Sequence, residues 1–357
     1  MLAFCGDRRK VKAMRDRVPA GFASLFSSRG FRNHPMDGLI PSTDKSVRFT
    51  GSTISTLKPY LLNRNIPDEG IFIVQRCLRT QNASTLEADS VKPVWASYFL
   101  GMGVLARYSR LDELADLAWV LFTRYLDVSP DRVRIRISSK DDDLNRYWSN
   151  KGLERHLEYN TKDPVYYTHK FGIDHITGRN CNVAIVDPDG RQVRDVGNII
   201  VIEDSGTPVG VELAFGVETI VSRLLGLSSP IEAGLIADIV SIRNEYSLKL
   251  ADAISACIAI LDAGERPIAT TNRGRILRTY LQALSYLRVR AGVSIEEMAR
   301  YAAEFEEQQF GKKSSLAQNV AAYLKSYEDL KNGGLGQSKI NEAISSIFPP
   351  RHSPRQA

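Results

Sequence analysis

Five residues stand at or near the ends of strand-like segments, and their types suit the binding of an amino acid. They are Arg79, Asn198, Glu212, Ala214 and Gly216. On an antiparallel sheet, Glu212 would hold the ammonium group. Arg79 would hold the carboxylate together with the α-phosphate of ATP, because the guanidinium fork matches those oxygens. The alternative is that Arg79 is a surface residue at a strand end and Glu212 a solvated partner of a strand arginine.

Sequence motifs for other common chemistries are absent. There is no P-loop, dinucleotide-binding glycine motif, zinc-protease motif or nucleophile elbow. The five histidines are scattered, and we interpret His169 and His175, which share one loop, as ordinary polar residues. The four cysteines form no C-x-x-C pair or Cys/His cluster. We therefore expect no metal site and no disulfide, a pattern that suits a reducing cytoplasm.

The elements that must position these residues are strands joined by turns. Alternating apolar residues or short apolar runs predict strands over 71–79, 133–137, 182–186, 199–203 and 209–215. The turn Pro188-Asp189-Gly190 joins 182–186 to Gln192-Val193 as a hairpin, and consecutive strands joined by turns form an antiparallel sheet. Between 111 and 126 the apolar spacing is helical, which predicts an amphipathic helix covering that sheet.

Beyond residue 228 only helical spacing remains, with apolar stripes over 250–261, 276–287 and 295–305. The fold class is therefore α+β, with a helix-flanked antiparallel sheet followed by an all-helical domain. We expect a basic helical lead-in over 1–30, a mixed domain over 31–228 and a helical domain over 229–331. Residues 332–357 should form a flexible linker, a short helix and a disordered tail from 349.

Composition excludes several classes of protein. The chain has 357 residues, of which 43% are hydrophobic and 25% charged, with a mean hydropathy of -0.21. No apolar run is long enough to cross a membrane, so we expect no membrane association and no secretory signal. The formal net charge of +6 permits contact with phosphate groups without requiring it.

A colinear series of motifs over about residues 30–305 resembles the class II catalytic domain of alanyl-tRNA synthetases and the helical segment that follows it. The segments that carry the resemblance are Arg32–Pro35, Val47–Tyr60, Val74–Thr80, Tyr98–Gly103, Pro130–Arg132, Gly197–Glu203, Glu212–Glu218, Leu250–Ile254, Ala263–Gly264 and Asn272–Arg278. The resemblance implies an antiparallel sheet that binds ATP, Mg²⁺ and a small amino acid and forms an aminoacyl-adenylate with loss of pyrophosphate.

Site residues follow from the resemblance position by position. Arg79 matches the arginine that bridges the amino-acid carboxylate and the α-phosphate, and with Gly216 it is assigned to ATP. Asn198 matches the asparagine that faces the amino acid. Glu212 falls where the family has the aspartate that pairs with the substrate ammonium, and Ala214 falls on a pocket glycine.

Several positions depart from the family pattern. A carboxylate of the second class II motif is replaced by Leu100, and the arginine of the third motif by Thr219. Arg223 lies one helical turn further on and is the candidate to reach the same triphosphate. Glutamate at 212 and alanine at 214 alter the pocket, so the amino acid that fits can differ from alanine.

Binding of tRNA has a weaker basis in the sequence. The resemblance places the acceptor stem against the helix that carries Arg273, Arg275 and Arg278, where the family has more arginines. Fewer phosphate contacts weaken RNA binding and make it more sensitive to salt. The resemblance covers the catalytic and helical domains only, so we expect neither an editing domain nor a C-terminal oligomerisation domain. The sequence does not indicate an oligomeric state.

Three functions remain open from the sequence. The first is ATP-dependent activation of a small amino acid with transfer to a tRNA acceptor end. The second is a catalytically degenerate synthetase paralogue that binds an amino acid or tRNA as a sensor or partner subunit. Leu100 and Thr219 favour this function. The third is an amide or ester ligase that passes the adenylate to a non-RNA acceptor.

Overall fold

A computed structural model describes residues 7–42, 44, 47–89, 91–267, 271–344 and 347–348. The chain divides into two compact units. The sheet unit holds Gly6–Cys77 and Phe99–Ala233, and the helical unit holds Leu78–Tyr98 and Gly234–Ala357 together with the first residues of the chain. The domain ranges given above stay a prediction, and the expected disordered tail lies outside the described residues.

One mixed sheet dominates the sheet unit. Its strands are β1 (Arg32–Asn33), β2 (Ile71–Leu78), β3 (Tyr98–Arg107), β4 (Val133–Ile137), β5 (Leu157–Tyr159), β6 (Thr168–Ile173), β7 (Ile176–Val186), β8 (Val193–Asp204) and β9 (Thr207–Gly216). The strand order is β1-β2-β3-β9-β8-β7-β4-β5, with β6 paired to β7. The predicted antiparallel pairing holds from β3 through β9, β8 and β7 to β4.

The two outermost pairs, β1 with β2 and β4 with β5, are parallel, which makes the sheet mixed. Each of these pairs is joined by a crossover that contains a helix, α2 (Thr53–Leu62) or α4 (Asp142–Asn150). Parallel strands need such crossovers, whereas antiparallel neighbours can be joined by tight turns. The α+β class is confirmed, and the expectation of a wholly antiparallel sheet is corrected at these two edges.

The helices α1 (Arg8–Ser28), α3 (Leu111–Val120) and α5 (Val217–Leu224) cover one face of the sheet. The predicted stripe on α3 is buried there, and a turn of π-helix over Leu121–Tyr125 extends it. The basic segment at the start of the chain contributes to the core, because Val18 and Phe22 of α1 are fully buried. It is therefore a packed structural helix.

Side chains that alternate along one strand reach opposite faces of the sheet. On β8, Ile199 and Val201 join the core beneath α1, α3 and α5. Ile200 and Ile202 join a second, smaller core formed with α2. This second core occupies part of its face, and the rest of that face carries polar side chains, several of them buried.

The helical unit contains α6 (Ile236–Ile239), α7 (Glu245–Asp262), α8 (Asn272–Ala291), α9 (Ile295–Phe310), α10 (Leu316–Asn332) and α11 (Gln337–Ala343). The three stripes expected from the sequence lie on α7, α8 and α9, which confirms them. Helix α7 is central, because every residue from Ser247 to Leu261 is buried. None of the described helices has the length and hydropathy needed to cross a bilayer.

Candidate functional site

A row of side chains crosses the sheet on the face opposite to α1, α3 and α5. Strand register pairs Gly103 with Ala214, Ala214 with Asn198, Asn198 with Asn182, and Asn182 with Arg136. We call these five residues the polar row. Residues paired across neighbouring strands share one face of a sheet, so the row forms a continuous strip from β3 to β4.

The polar row is closed at its β3 end. A Cβ atom at Gly103 would lie 2.2 Å from the Oγ1 atom of Thr53, the first residue of α2. No larger side chain fits between this strand and the helix. The side chains of the row therefore run from Ala214 to Arg136.

Glu212 lies beside the polar row. It precedes Ala214 by two residues on β9, so both side chains reach the same face. Its register partners are Leu105 on β3 and Ile200 on β8. Its side chain is only 2% exposed. A buried carboxylate between two apolar neighbours is suited to a cationic group such as an ammonium, because removing a charge from water is unfavourable without an opposite charge.

Two asparagines form the centre of the polar row. The Nδ2 atom of Asn198 donates a hydrogen bond to Oδ1 of Asn182. Asn182 is 3% exposed, and its own buried Nδ2 atom donates to no acceptor among the described residues. Buried polar groups almost always have a partner. The unfulfilled donor marks this position as one that a ligand can complete.

The other end of the polar row is a closed network. The Arg136 side chain contacts Glu158 at 2.9 Å, Asp195 at 2.7 Å and the carbonyl oxygen of Val193 at 2.9 Å. The hydroxyl of Tyr166 donates to Asp195 at 2.6 Å. Burial acts to lower the pKa of Arg136, but the two carboxylates outweigh it and raise that pKa. Arg136 is thus a fixed wall with its charge already balanced.

The junction between β9 and α5 carries a second buried carboxylate. Gly216 precedes the first residue of α5, and Glu218 in the first turn is 8% exposed. The backbone N–H of Leu100 donates to the Glu218 carboxylate at 3.0 Å. Burial raises the pKa of Glu218 to about 7, against the opposing effect of this hydrogen bond. Glu218 therefore ties α5 to β3 at the position where the family has a carboxylate and this chain has a leucine.

Arg223 on α5 is half-buried and incompletely bonded. Its Nε atom is buried and has no hydrogen-bond acceptor within the described chain. Burial, and then the charge of Arg194, lower its pKa to about 10, while Asp187 and Asp195 act in the opposite direction. Arg194 and Asp187 pair with each other at 2.8 Å. A half-buried cation in this state is suited to an incoming anion.

Arg79 lies in the helical unit, directly after β2, and is exposed. Its backbone N–H donates to the carbonyl oxygen of Ser97 at 2.8 Å. Ser97 is held in turn by Asp252 of α7, which accepts from its backbone N–H at 2.7 Å and its hydroxyl at 2.6 Å. Asn82 donates to the same carboxylate at 3.0 Å. The backbone that carries Arg79 is thus anchored to a buried carboxylate, which the sequence alone does not reveal.

The three arginines proposed for tRNA lie on α8 in the helical unit. Arg273 pairs with Glu265 at 2.9 Å, so its charge is largely balanced. Arg275 is exposed and donates to the Asn272 side chain at 2.5 Å. Arg278 is half-buried. Only part of the positive charge expected on this helix is therefore available to phosphate.

Comparison with known proteins finds alanine-tRNA ligases among the similar sequences. An alanine-tRNA ligase of Tropheryma whipplei is 25% identical over 297 residues, which cover 73% of this chain and 33% of that protein. An alanine-tRNA ligase of Thermus thermophilus is 28% identical over 133 residues, which cover 36% of this chain and 15% of that protein. The chain is thus similar to alanine-tRNA ligases over most of its length. It spans about a third of the length of the first of these relatives.

Solved structures similar to the chain are class II aminoacyl-tRNA synthetases. An aspartyl-tRNA synthetase from Entamoeba histolytica has a TM-score of 0.40 at 13% identity, over 63% of this chain and 57% of that chain. An asparaginyl-tRNA synthetase from Pyrococcus horikoshii has a TM-score of 0.39 at 11% identity, over 65% of this chain and 67% of that chain. No protein-family model matches the chain.

The sequence and the structure identify different residues of the candidate site. Asn198, Glu212 and Ala214, predicted from the sequence, come together on one face of the sheet unit. Gly216 and Arg223 lie at and beyond the end of the same strand, β9. Asn182 is not singled out by its sequence context. Its position two residues after Asn180, which reaches the same face, is the one signal available.

The described residues do not form a preorganised site for Mg²⁺. Position 100 is leucine, and one oxygen of Glu218 already accepts from a backbone N–H. Among the residues described, no group of three or more His, Cys, Asp or Glu side chains could hold a metal ion. We expect any Mg²⁺ to enter as part of the ATP complex, which is a substrate.

Proposed function

We propose that this chain activates a small amino acid with ATP, forms an aminoacyl-adenylate and passes the aminoacyl group to a tRNA acceptor end or another acceptor. The observation that carries the proposal is the convergence of Asn198, Ala214 and buried Glu212 on one face of the sheet. These residues lie in a chain that is similar to alanine-tRNA ligases. The activity that names those relatives belongs to proteins of which this chain covers about a third.

The amino acid is held by charge and hydrogen bonding. Glu212 pairs with its ammonium group, since a buried carboxylate favours a cation. Asn198, with its amide on the same face, contacts the amino acid, and Ala214 limits the size of its side chain. Replacement of the family glycine by Ala214 shifts selectivity by an amount typical of one methyl group, about 1 to 3 kcal/mol.

The reaction is an in-line displacement at phosphorus. One oxygen of the amino-acid carboxylate attacks the α-phosphorus of ATP, the bond from that phosphorus to the β-phosphate bridging oxygen breaks, and pyrophosphate leaves with the electron pair. A hydroxyl of the acceptor then attacks the adenylate carbonyl, loses its proton, and AMP leaves. Arg79 neutralises charge on the carboxylate and the α-phosphate, so its contribution is positioning and electrostatic stabilisation.

ATP needs a second contact in this chain. Thr219 cannot supply the positive charge of the family arginine, and we assign that role to Arg223. Its buried, unbonded Nε atom and lowered pKa support the assignment. Gly216 leaves the junction free of a side chain, which lets a phosphate approach the backbone at the start of α5.

The acceptor is the least constrained part of the proposal. Arg275 and Arg278, with Arg273, are the candidate phosphate contacts for a tRNA acceptor stem. The pairing of Arg273 with Glu265 lowers the charge available and favours weak binding. A non-RNA acceptor, which makes the chain an amide or ester ligase, is the alternative. We place the reaction in the cytoplasm, where tRNA, ATP and free amino acids are present.

A second candidate function is a catalytically degenerate synthetase paralogue that binds an amino acid or tRNA without turnover. Leu100 and Thr219 favour it, because both positions lose the charge of the family pattern. The contact of Glu218 with the Leu100 backbone adds to this, since it commits the neighbouring carboxylate to structure.

The proposed function is tested by exchange of labelled pyrophosphate into ATP, measured with each of the twenty amino acids. We expect exchange that depends on a small amino acid. Arg79→Ala should lower it about 100-fold or more, because one transition-state contact is lost. Arg29→Ala, which removes an exposed arginine at the end of α1, is the matched control. Absence of exchange with every amino acid, together with calorimetric binding of one of them, would instead establish the degenerate paralogue.

A further inference from the structure

We propose that Asn182 and Asn198 act together as a selectivity element for an amino acid whose side chain is neutral and polar, carrying a hydroxyl or a primary carboxamide. This inference rests on the proposed function, because it takes the polar row to be the floor of the amino-acid pocket. It assigns Asn182 a role in recognising the substrate side chain, in addition to the contacts made to the groups that all amino acids share.

The first step is the unfulfilled donor. The side chain of Asn182 is only 3% exposed, and its Nδ2 atom has no acceptor in the described part of the chain. Its Oδ1 atom is already used, since it accepts from Asn198. An apolar group placed against this amide would leave the donor unbonded, which is unfavourable for a buried polar group. A ligand atom that accepts a hydrogen bond completes it.

The second step is the pairing of donor and acceptor. With one N–H of its Nδ2 atom committed to Asn182, Asn198 keeps its Oδ1 atom as an acceptor, and Asn182 keeps its Nδ2 atom as a donor. The pair thus offers both N–H donors and an acceptor oxygen side by side, since each Nδ2 atom carries two N–H groups. A hydroxyl or a carboxamide can accept from the first and donate to the second. A methyl group can do neither, a carboxylate can only accept, and an ammonium can only donate.

The third step is the charge around the pair. Arg136, the next residue along the polar row, is balanced by both Glu158 and Asp195. It offers no spare positive charge to an acidic side chain. A neutral polar group is therefore favoured over a carboxylate of the same size.

The fourth step is distance. Glu212, the proposed ammonium partner, is on β9, and Asn182 is two strands away on β7. Asn182 is displaced from Glu212 by two residues along the strand direction, and both side chains reach the same face. Strand spacing and rise put their Cα atoms about 12 Å apart. The two side chains and a small amino acid together span that separation. Ala214 narrows the floor on the other side of Asn198 and restricts the pocket to short side chains.

The test is calorimetric titration of the full chain with non-hydrolysable sulfamoyl adenylate analogues that differ only in the amino acid. The arms are seryl and asparaginyl analogues for the two proposed groups, alanyl and 2-aminobutyryl analogues for apolar side chains, and an aspartyl analogue for the anion. We expect the seryl or the asparaginyl analogue to bind at least about tenfold tighter than the apolar and anionic ones. The preference between those two identifies the group.

Variants assign the preference to the amide pair. Asn182→Ala should remove most of the preference while leaving the affinity for the alanyl analogue within about threefold. Asn182→Asp keeps the shape of the side chain but replaces the N–H donor with an acceptor oxygen. It should also remove the preference. Asn180→Ala is the matched control, because Asn180 reaches the same face of β7 but already donates to the Tyr166 carbonyl at 3.3 Å. Melting temperatures of all variants check that each one folds.

Two results would overturn the inference. One is tightest binding of the alanyl or 2-aminobutyryl analogue by the unmodified chain. The other is an equal loss of affinity for every analogue in Asn182→Ala, which would show that Asn182 contacts the common part of the ligand. Because binding is measured without turnover, absence of pyrophosphate exchange would contradict the proposed activation while leaving this preference measurable.

Discussion

The two faces of strand β7 carry polar side chains in opposite states. Arg179 is surrounded by carboxylates, with Glu203 at 2.8 Å, Asp143 at 2.5 Å and an additional contact to Asp141. Asn182, three residues further along and on the opposite face, holds a buried amide donor with no acceptor among the described residues. One strand thus presents a completed network on one side and an incomplete one on the other.

The difference separates structural polar residues from residues that await a ligand. Around Arg179, the hydroxyl of Tyr108 donates to Asp143 at 2.7 Å. Burial and the neighbouring Asp143 raise the pKa of Asp141, while Arg179 outweighs burial and lowers that of Asp143. This network lies within the protein and needs nothing from outside. Asn182 and Arg223 have no such completion, which is why the proposals concern them.

The largest change in stability is expected from a substitution in the completed network around Arg179. Arg179→Met should lower the free energy of unfolding by about 3 to 5 kcal/mol, because it leaves buried carboxylates without their cation. Urea denaturation measures the loss. Arg191→Met, at an 84% exposed arginine on the loop between β7 and β8, is the matched control and should change stability by less than about 0.5 kcal/mol. A loss below about 1 kcal/mol for Arg179→Met would contradict the interpretation of the Arg179 network as a structural one.

The next effect concerns the pH dependence of stability through Glu218. The pKa of this carboxyl rises from its ordinary 4.5 to about 7 in the fold, so the folded state binds the proton more tightly than the unfolded state does. Below about pH 4.5 this carboxyl has little effect on the free energy of unfolding. As the pH rises through about 7, its ionisation lowers the free energy of unfolding by up to about 3 kcal/mol. Glu218→Gln removes this penalty and keeps an oxygen that accepts from the Leu100 N–H.

The measurement is the free energy of unfolding of both proteins between pH 4.5 and pH 8. The advantage of Glu218→Gln should be small at the acidic end and grow toward about 3 kcal/mol at pH 8. Glu154→Gln, at an exposed glutamate, controls for the loss of one negative charge. A constant difference between the two proteins across this range would contradict the raised pKa.

The smallest effect on stability is expected at Arg223. Arg223→Met removes a half-buried cation whose Nε atom is unbonded, so the free energy of unfolding should change by no more than about 1 kcal/mol. The same substitution should abolish the rise in melting temperature that ATP produces in the unmodified chain. If Arg223→Met destabilises the chain as strongly as Arg179→Met, Arg223 belongs to the structure and not to an ATP site.

Local patterns in the sequence predict much of the fold, because period and turn chemistry are local properties. The strands through Asn198 and Glu212, the hairpin at Pro188-Asp189-Gly190 and the helical stripes of the second unit all follow from them. The parallel pairs at the sheet edges do not, since β1 and β2 are partners separated by a helix and more than thirty residues. Helix α2, in a segment rich in Pro, Gly, Ser and Thr, is not predicted either.

The candidate site divides in the same way. Glu212, Asn198 and Ala214 are identified by residue type and by resemblance, and the register of β8 and β9 places them together. The incomplete hydrogen bonding of Asn182 depends on its contact with Asn198 on the neighbouring strand, so only the folded structure reveals it. The lowered pKa of Arg223 likewise depends on burial and on the proximity of Arg194. Incomplete bonding is a property of the assembled structure.

The claim that incompletely bonded groups mark the binding surface is tested most directly by a crystal structure of the full chain with a non-hydrolysable seryl-adenylate analogue. We predict that the ligand ammonium lies against Glu212 and that an acceptor atom of its side chain lies about 2.7 to 3.2 Å from Nδ2 of Asn182. A complex in which the analogue occupies another surface, or leaves the Asn182 amide unbonded, would contradict the account.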